Sequence, residues 1–152
     1  WKDIFQMQAG VTVQNSRYKQ ARRWSDEGNV EATRKMFRTP DLYGYCTASY
    51  NPMKQMTMSL TGTYTGSMLV EHHAGAIEMS TSVVTPDFWD LNFKISYDFR
   101  IYRSFSLQLN AGVQNMLNSF QKDFDSGADR DSGYIYGPTL PRSFFFGIRL
   151  DY

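Results

Sequence analysis

The chain has 152 residues, and its 16 Lys and Arg against 15 Asp and Glu leave a formal net charge of +1, which gives no electrostatic argument for nucleic acid. Mean hydropathy is −0.48 and no apolar run reaches the roughly 18 residues of a membrane-crossing helix, while Cys46, the single cysteine, excludes an intrachain disulfide and a Cys-x-x-Cys metal site. Aromatic residues make up 16% of the chain, high for a soluble globular domain and ordinary for a barrel with aromatic girdles.

In chain order, the start Trp1-Lys2-Asp3-Ile4-Phe5 is neither an initiator Met nor a secretory signal. The first strand is expected over residues 4–18, with Phe5, Met7, Ala9, Val11 and Val13 on one face and Gln6, Gln8, Gly10, Thr12 and Gln14 on the other. A polar loop follows over residues 19–41. The basic run from Arg17 to Arg23 reads most plainly as solvated loop, and Glu31, Ala32, Lys35 and Met36 allow a short helix over residues 30–38 that Pro40 would end. The second strand, 42–50, places Cys46 on an apolar alternation as a small hydrophobe. Asn51-Pro52-Met53-Lys54 reads as a tight turn.

The third strand, 55–65, alternates Met56, Met58, Leu60, Gly62 and Tyr64 with an uncharged row of Gln, Ser and Thr. Such a row suits a hydrated lumen better than an open surface. A second long loop, 66–87, holds Glu71, His72 and His73, and residues 68–70 could prolong the third strand. The fourth strand, 88–99, sets Trp89, Leu91, Phe93, Ile95, Tyr97 and Phe99 against Asp90, Asn92, Lys94, Ser96 and Asp98. Residues 101–104 read as a turn and 105–113 as a fifth strand. A third long loop covers 121–140.

The last strand carries the most specific pattern. Phe144, Phe146, Ile148, Leu150 and Tyr152 are all apolar, and the residues between them are mostly polar. Together with Pro141 and Arg142, this stretch resembles the last strand of bacterial outer-membrane barrels, and of TonB-dependent receptors in particular. The Asn115-Met116-Leu117-Asn118 segment, with Phe120 after it, resembles the Asn-Leu-Phe-Asp motif of that family; Met116, Leu117 and Asn118 depart from it. Tyr134-Ile135-Tyr136-Gly137-Pro138 leading to Leu140-Pro141-Arg142 resembles the version in Bacteroides-type bacteria.

The resemblance implies an outer-membrane protein of a Gram-negative bacterium. Its alternating Phe144, Phe146, Ile148, Leu150 and Tyr152 would be the signal read by the barrel-assembly machinery. Connections alternate long, short, long, short, long, as outer loops and periplasmic turns do. Natural membrane barrels need about eight strands or more, so about six strands are expected to be the C-terminal segment of a larger antiparallel up-and-down transmembrane β-barrel, of about 22 strands. Residues 1–152 would then be wall and loops, with the plug domain, the TonB-contacting region and a signal peptide upstream.

Candidate chemistry is sparse. Arg22, Arg23 and Trp24 could contact an anionic ligand through charge and cation–π attraction. His72 and His73, with Glu71 and Glu78, could hold a metal or haem near the outer mouth, but adjacent residues of a strand point opposite ways and chelate one ion poorly; exposed loop histidines are the plainer reading. Asp123, Asp125, Gly127, Asp129 and Asp131 suggest a calcium loop, yet Gly127 falls at the wrong position and no Glu closes it, so a solvated acidic loop is favoured. Asp90, Lys94 and Asp98 read as an interstrand ion-pair ladder. No nucleophile–base pair, metal signature or phosphate loop is present, and neither enzyme activity nor a cofactor is expected.

The resemblance therefore implies TonB-dependent uptake of a small nutrient such as an iron–siderophore complex, haem, cobalamin or an oligosaccharide, with membrane lipid and TonB as further partners. Two alternatives stand beside it: a passive or structural outer-membrane barrel, and a soluble β-sandwich binding domain. The second requires the apolar strand faces to pack against each other in a dry interior.

Overall fold

The structure, a computed structural model, describes residues 4–102 and 105–152. Its regular structure is all β, without a helix among the described residues. Six strands form one antiparallel sheet: β1 (Phe5–Val13), β4 (Leu42–Met53), β5 (Met56–Thr65), β8 (Phe88–Tyr102), β9 (Phe105–Gln114) and β10 (Ser143–Asp151). They pair in that order, each with its chain neighbour in the sheet, so the topology is up-and-down. Two ribbons lie in the long connections, β2 (Arg17–Arg22) with β3 (Thr33–Lys35), and β6 (Leu69–His72) with β7 (Thr81–Val84).

Register decides which side chains share a face. Ala9 stands opposite Cys46, Cys46 opposite Gly62, and Gly62 opposite Leu91. One pleat along, Leu60 faces Phe93, Phe93 faces Val113, and Val113 faces Phe144. All five pairings keep the apolar residues together, so one continuous apolar face runs from β1 to β10. None of its residues is buried, and Val11, Val13, Phe144 and Phe146 are 73%, 78%, 76% and 67% exposed. The apolar faces thus do not fold onto each other to make a dry interior, as a β-sandwich requires. Aromatic rings mark both ends of this face. Tyr64 and Trp89 meet at 4.5 Å near the long connections, and Tyr97 and Phe99 at 4.6 Å near the short ones, matching the paired girdles of a barrel wall.

Several expected boundaries move. The first strand stops at Val13 rather than residue 18, and the basic run becomes β2 through Arg22 instead of solvated loop. No helix forms over 30–38; β3 occupies its middle, because pairing with β2 overrides modest helix propensity. β4 continues through Pro52 to Met53, and the turn is Lys54-Gln55. A register shift between Tyr50 and Met53 accommodates the proline, which has no amide proton to give. β8 runs on to Tyr102, and the remainder of the expected turn, Arg103 and Ser104, lies outside the described residues. Residues 69–72 do not prolong β5; they pair with β7.

The opposite face is mostly polar, and of the aromatics on it two, Tyr45 and Phe145, lie over cross-strand glycines. The Tyr45 ring covers Gly10, where an added Cβ would sit 2.7 Å from its Cε1. The Phe145 ring covers Gly112, where an added Cβ would also strike the carbonyl oxygen of Phe93. Such pairs compensate the missing glycine side chain with ring contact. Gly10→Ala is expected to destabilise by about 1 kcal/mol in urea titrations, and the loss should vanish in a Tyr45→Ala background. Gly112→Ala should cost about 1–3 kcal/mol and not be rescued by Phe145→Ala, because the backbone clash remains.

Candidate functional site

The three long connections, residues 14–41, 66–87 and 115–142, leave the same end of the sheet; they are called L1, L2 and L3 below. L1 prolongs the β1–β4 hairpin: Gln14 N donates to Asp41 O at 2.9 Å, and Lys35 pairs with the Asp41 carboxylate at 3.1 Å. L2 carries the β6–β7 ribbon. L3 has no strand, and side chains set its course. Gln121, only 1% exposed, donates through Nε2 to Tyr134 O and accepts from Tyr136 N through Oε1. A side-chain amide thus substitutes for a strand partner.

The Asn115-Met116-Leu117-Asn118 segment is the hinge of L3. Asn115 and Asn118 adopt φ of 49° and 53°, a region that Asn tolerates better than most residues. Asn115 is buried; its Nδ2 donates to Ser119 O and Leu140 O, and its Oδ1 accepts from Ser119 N. Asn118 Oδ1 accepts from Arg142 N. The two asparagines therefore hold the exit of β9 beside the entry of β10.

The core sits in these connections, outside the apolar sheet face. Met68, Val70 and Tyr134 form a buried cluster, with Val83 and Tyr136 against it. His72 stacks on Tyr134 with centroids 3.6 Å apart and planes 6° off parallel, and its Nε2 donates to the Asp125 carboxylate at 2.9 Å. His72 is thus not an exposed loop histidine, and the acidic loop is not simply solvated: the side chains of both His72 and Asp125 are 9% exposed. Asp125 also accepts from Asp131 N, and Asp131 accepts from His73 N and Gly133 N. For Asp131, burial opposes ionisation, but those two backbone amides and the nearby histidines hold its carboxyl below the ordinary value. No cluster of metal-binding geometry occurs among the described residues.

The other expected contact residues lie outside this buried cluster. His73 is exposed and meets Trp24 edge-on at 4.7 Å. Trp24 is half-buried, with Nε1 donating to Ser82 Oγ at 2.8 Å and Phe37 at its edge. Arg22 lies over the Tyr18 ring at 5.3 Å, and Arg23 is exposed just beyond β2. Of the terminal alternation, Phe144, Phe146, Ile148 and Leu150 lie on β10, on the apolar face and exposed; Tyr152 follows β10. Sequence reasoning missed Arg38, Gln121 and the Tyr134–Tyr136 pair, whose roles arise from long-range contacts.

On the polar face, beneath the end of L3, lies an open groove of about 590 Å³. Ser59, Thr61, Asp90, Asn92, Lys94 and Gln114 line its floor, and Pro138–Pro141 with Phe145 form its rim. The expected ion-pair ladder does not form. Asp98 accepts from Gln108 at 2.8 Å, and no ion pair joins Asp90, Lys94 and Asp98 among the described residues. The side chains stand too far apart along the strand for direct pairing and leave hydroxyls and amides between them.

This geometry defines a class: a stretch of antiparallel barrel wall with an organised set of loops at one end. No protein-family model matches the chain, and no curated protein matches it. Among solved structures it is similar to the closed form of the ferric-catecholate import receptor Fiu from E. coli K12, at a TM-score of 0.61 and 22% identity. The match covers 98% of this chain and 19% of that one, so the chain spans a small part of the receptor's length. At this identity the likeness shows the fold, and the fold is a piece of barrel wall whose sheet does not close within the chain.

Asp123 joins the two tyrosines of L3. Tyr134 Oη donates to its Oδ2 at 3.0 Å and Tyr136 Oη to its Oδ1 at 2.6 Å. Burial alone would raise its carboxyl, but the hydroxyls of Tyr136 and Tyr134 outweigh that and hold it low. Burial, and then Asp123, push the Tyr134 phenol up to about 12 and raise Tyr136 as well. The lowered carboxyl stabilises L3 above the ordinary value of 3.8, and that is lost as pH falls through the folded value. The raised phenol stabilises L3 below 10.0, and that is lost as pH rises through about 12. Asp123→Asn is expected to return Tyr134 ionisation towards 10.0. Ultraviolet difference absorbance against the matching Tyr134→Phe variants measures the midpoint, which should otherwise stay put.

Proposed function

We propose that this chain is the C-terminal barrel segment of a TonB-dependent outer-membrane receptor that imports a scarce nutrient. The observation that carries the reading is the single apolar face shared by all six strands and left bare, backed by a polar face. Hydrocarbon outside and water inside account for both faces at once. Support for the family comes from the terminal alternation, from the Asn115–Asn118 segment, and from the fold shared with an import receptor. The bare edges β1 and β10 call for further strands, consistent with a barrel of about 22.

In this reading L1, L2 and L3 face outward and the polar groove faces the lumen, where a plug domain and passing solute would lie. Arg22, Arg23, Trp24 and His73 would be the loop residues that meet a ligand, with the buried His72 holding L3 beside them. Candidate nutrients are an iron–siderophore complex, haem, cobalamin or an oligosaccharide. Phe144, Phe146, Ile148, Leu150 and Tyr152 would be read by the barrel-assembly machinery. The segment does no covalent chemistry; TonB, reached through upstream sequence, would supply the energy.

Two measurements test this. In lipid vesicles, Ile148→Arg should cost about 2–4 kcal/mol in urea unfolding, because it places a cation in the middle of the apolar band. Thr61→Lys on the polar face should stay within about 0.5 kcal/mol. Equal effects, or the reverse order, would dispose of the membrane reading. In cells, deleting the gene should abolish uptake of one of those nutrients that is sensitive to a proton uncoupler. Uptake that is lost but indifferent to the uncoupler would mark a passive barrel instead.

A further inference from the structure

Arg38 sits where the three long connections meet. It belongs to L1, yet its amide donates to Leu69 O of L2 at 2.8 Å. Its guanidinium meets Glu71 of L2 at 3.3 Å and donates to two carbonyls of L3, Ile135 O at 3.0 Å and Gly133 O at 2.6 Å. Its φ is 54°, an uncommon conformation for a long side chain, which surrounding contacts must enforce. Such a residue is poorly explained as a solvated loop cation.

A second junction is independent of the first. His72 of L2 holds Asp125 of L3 while stacked on Tyr134, and the neighbouring His73 amide donates to Asp131 of L3. L1 returns to L2 through Trp24 and Ser82, and through Asn29, whose amide donates to Ser80 O at 3.0 Å. Every pair of loops is therefore joined directly. No loop can swing away without breaking bonds to both others.

We infer that L1, L2 and L3 form one lid that opens and closes as a unit, keyed by Arg38 and by the His72–Asp125 junction. Loops that open separately would show free energies of opening set by their own contacts. A unit shows one shared value, because the cost of opening any part is the cost of releasing all. The consequence for a bound solute is a single gate in this part of the mouth, with access switched by whatever displaces either junction. This goes beyond the proposed uptake role and does not depend on which nutrient is carried.

The test is amide hydrogen exchange on the full-length protein in lipid, comparing the parent with Arg38→Ala and His72→Ala. Each substitution should speed exchange about tenfold or more by a common factor in all three loops, and the double variant should speed all three by roughly the product of the two factors. Acceleration confined to the substituted residue's own loop, factors that differ from loop to loop in the double variant, or no acceleration would each overturn the inference. Resistance of the barrel to cold detergent, with a mobility shift on heating, establishes that each variant has folded. Where Arg38→Ala does not fold, Arg38→Lys serves, since a single ammonium cannot hold Glu71 and both L3 carbonyls in the same fork geometry.

Discussion

The constraint on which everything else depends is register. Side chains alternate between faces with a period of two, so a slip of one residue in any of the five pairings would carry apolar side chains to the polar side. The shifts that occur, between Tyr50 and Met53 and between Arg100 and Tyr102, fall beside the short turns, and along the body of the sheet register holds: Met58 faces Ile95, Ile95 faces Ala111 and Ala111 faces Phe146 across four strands. The inner strands bond on both sides, and bare backbone remains only along β1 and β10. In hydrocarbon each bare group costs several kcal/mol. This sheet does not close within the described residues, and its two edges are where that cost would fall.

That same constraint explains why the core lies in the loops. The apolar face is committed outward and the polar face cannot collapse on itself, so neither supplies the sheet with a dry interior. Connections longer than about 20 residues are uncommon without structure of their own. Here each finds some. L1 and L2 form ribbons, and L3 is held by buried side chains such as Gln121 and Asn115. Val70, fully shielded from solvent, is buried beneath Tyr134, which also supports the His72 ring. Apolar burial is therefore concentrated where the chain would otherwise be most mobile.

The sheet was legible in the sequence because strand pairing between chain neighbours depends only on local alternation. All six wall strands, the up-and-down order and the polar row of Ser and Thr follow from it. The loops were less legible because their partners are distant. Helix-forming Glu31 and Met36 gave a local signal that β2 overrides, and Arg17–Arg22 looked like solvated charge because no sequence pattern announces β3. Opposed directions for His72 and His73 were readable from strand geometry, and the structure has one ring buried and the other exposed. What could not be read was the partner, since Asp125 lies 53 residues on. The Asn115–Asn118 segment shows the middle case: it was recognisable as a pattern, while its physical reason, two left-handed asparagines that clasp β9 to β10, needed coordinates.

The two faces of the wall differ in commitment as well as polarity. On the polar side the wall charges form few bonds: Asp98 takes one amide, Arg149 pairs with Asp151 within β10, and Asp90 and Lys94, with no ion pair among the described residues, stand on the floor of the groove among hydroxyls and amides. A charge that faces a wide, hydrated space keeps most of its solvation and gains little from pairing. Such a surface can exchange water for a polar partner at small cost. The loop end does the opposite. There carboxylates and cations are drawn into specific bonds, with Arg38 reaching both other loops. A permissive wall beneath tightly specified loops thus puts two kinds of polar surface in different places along one chain.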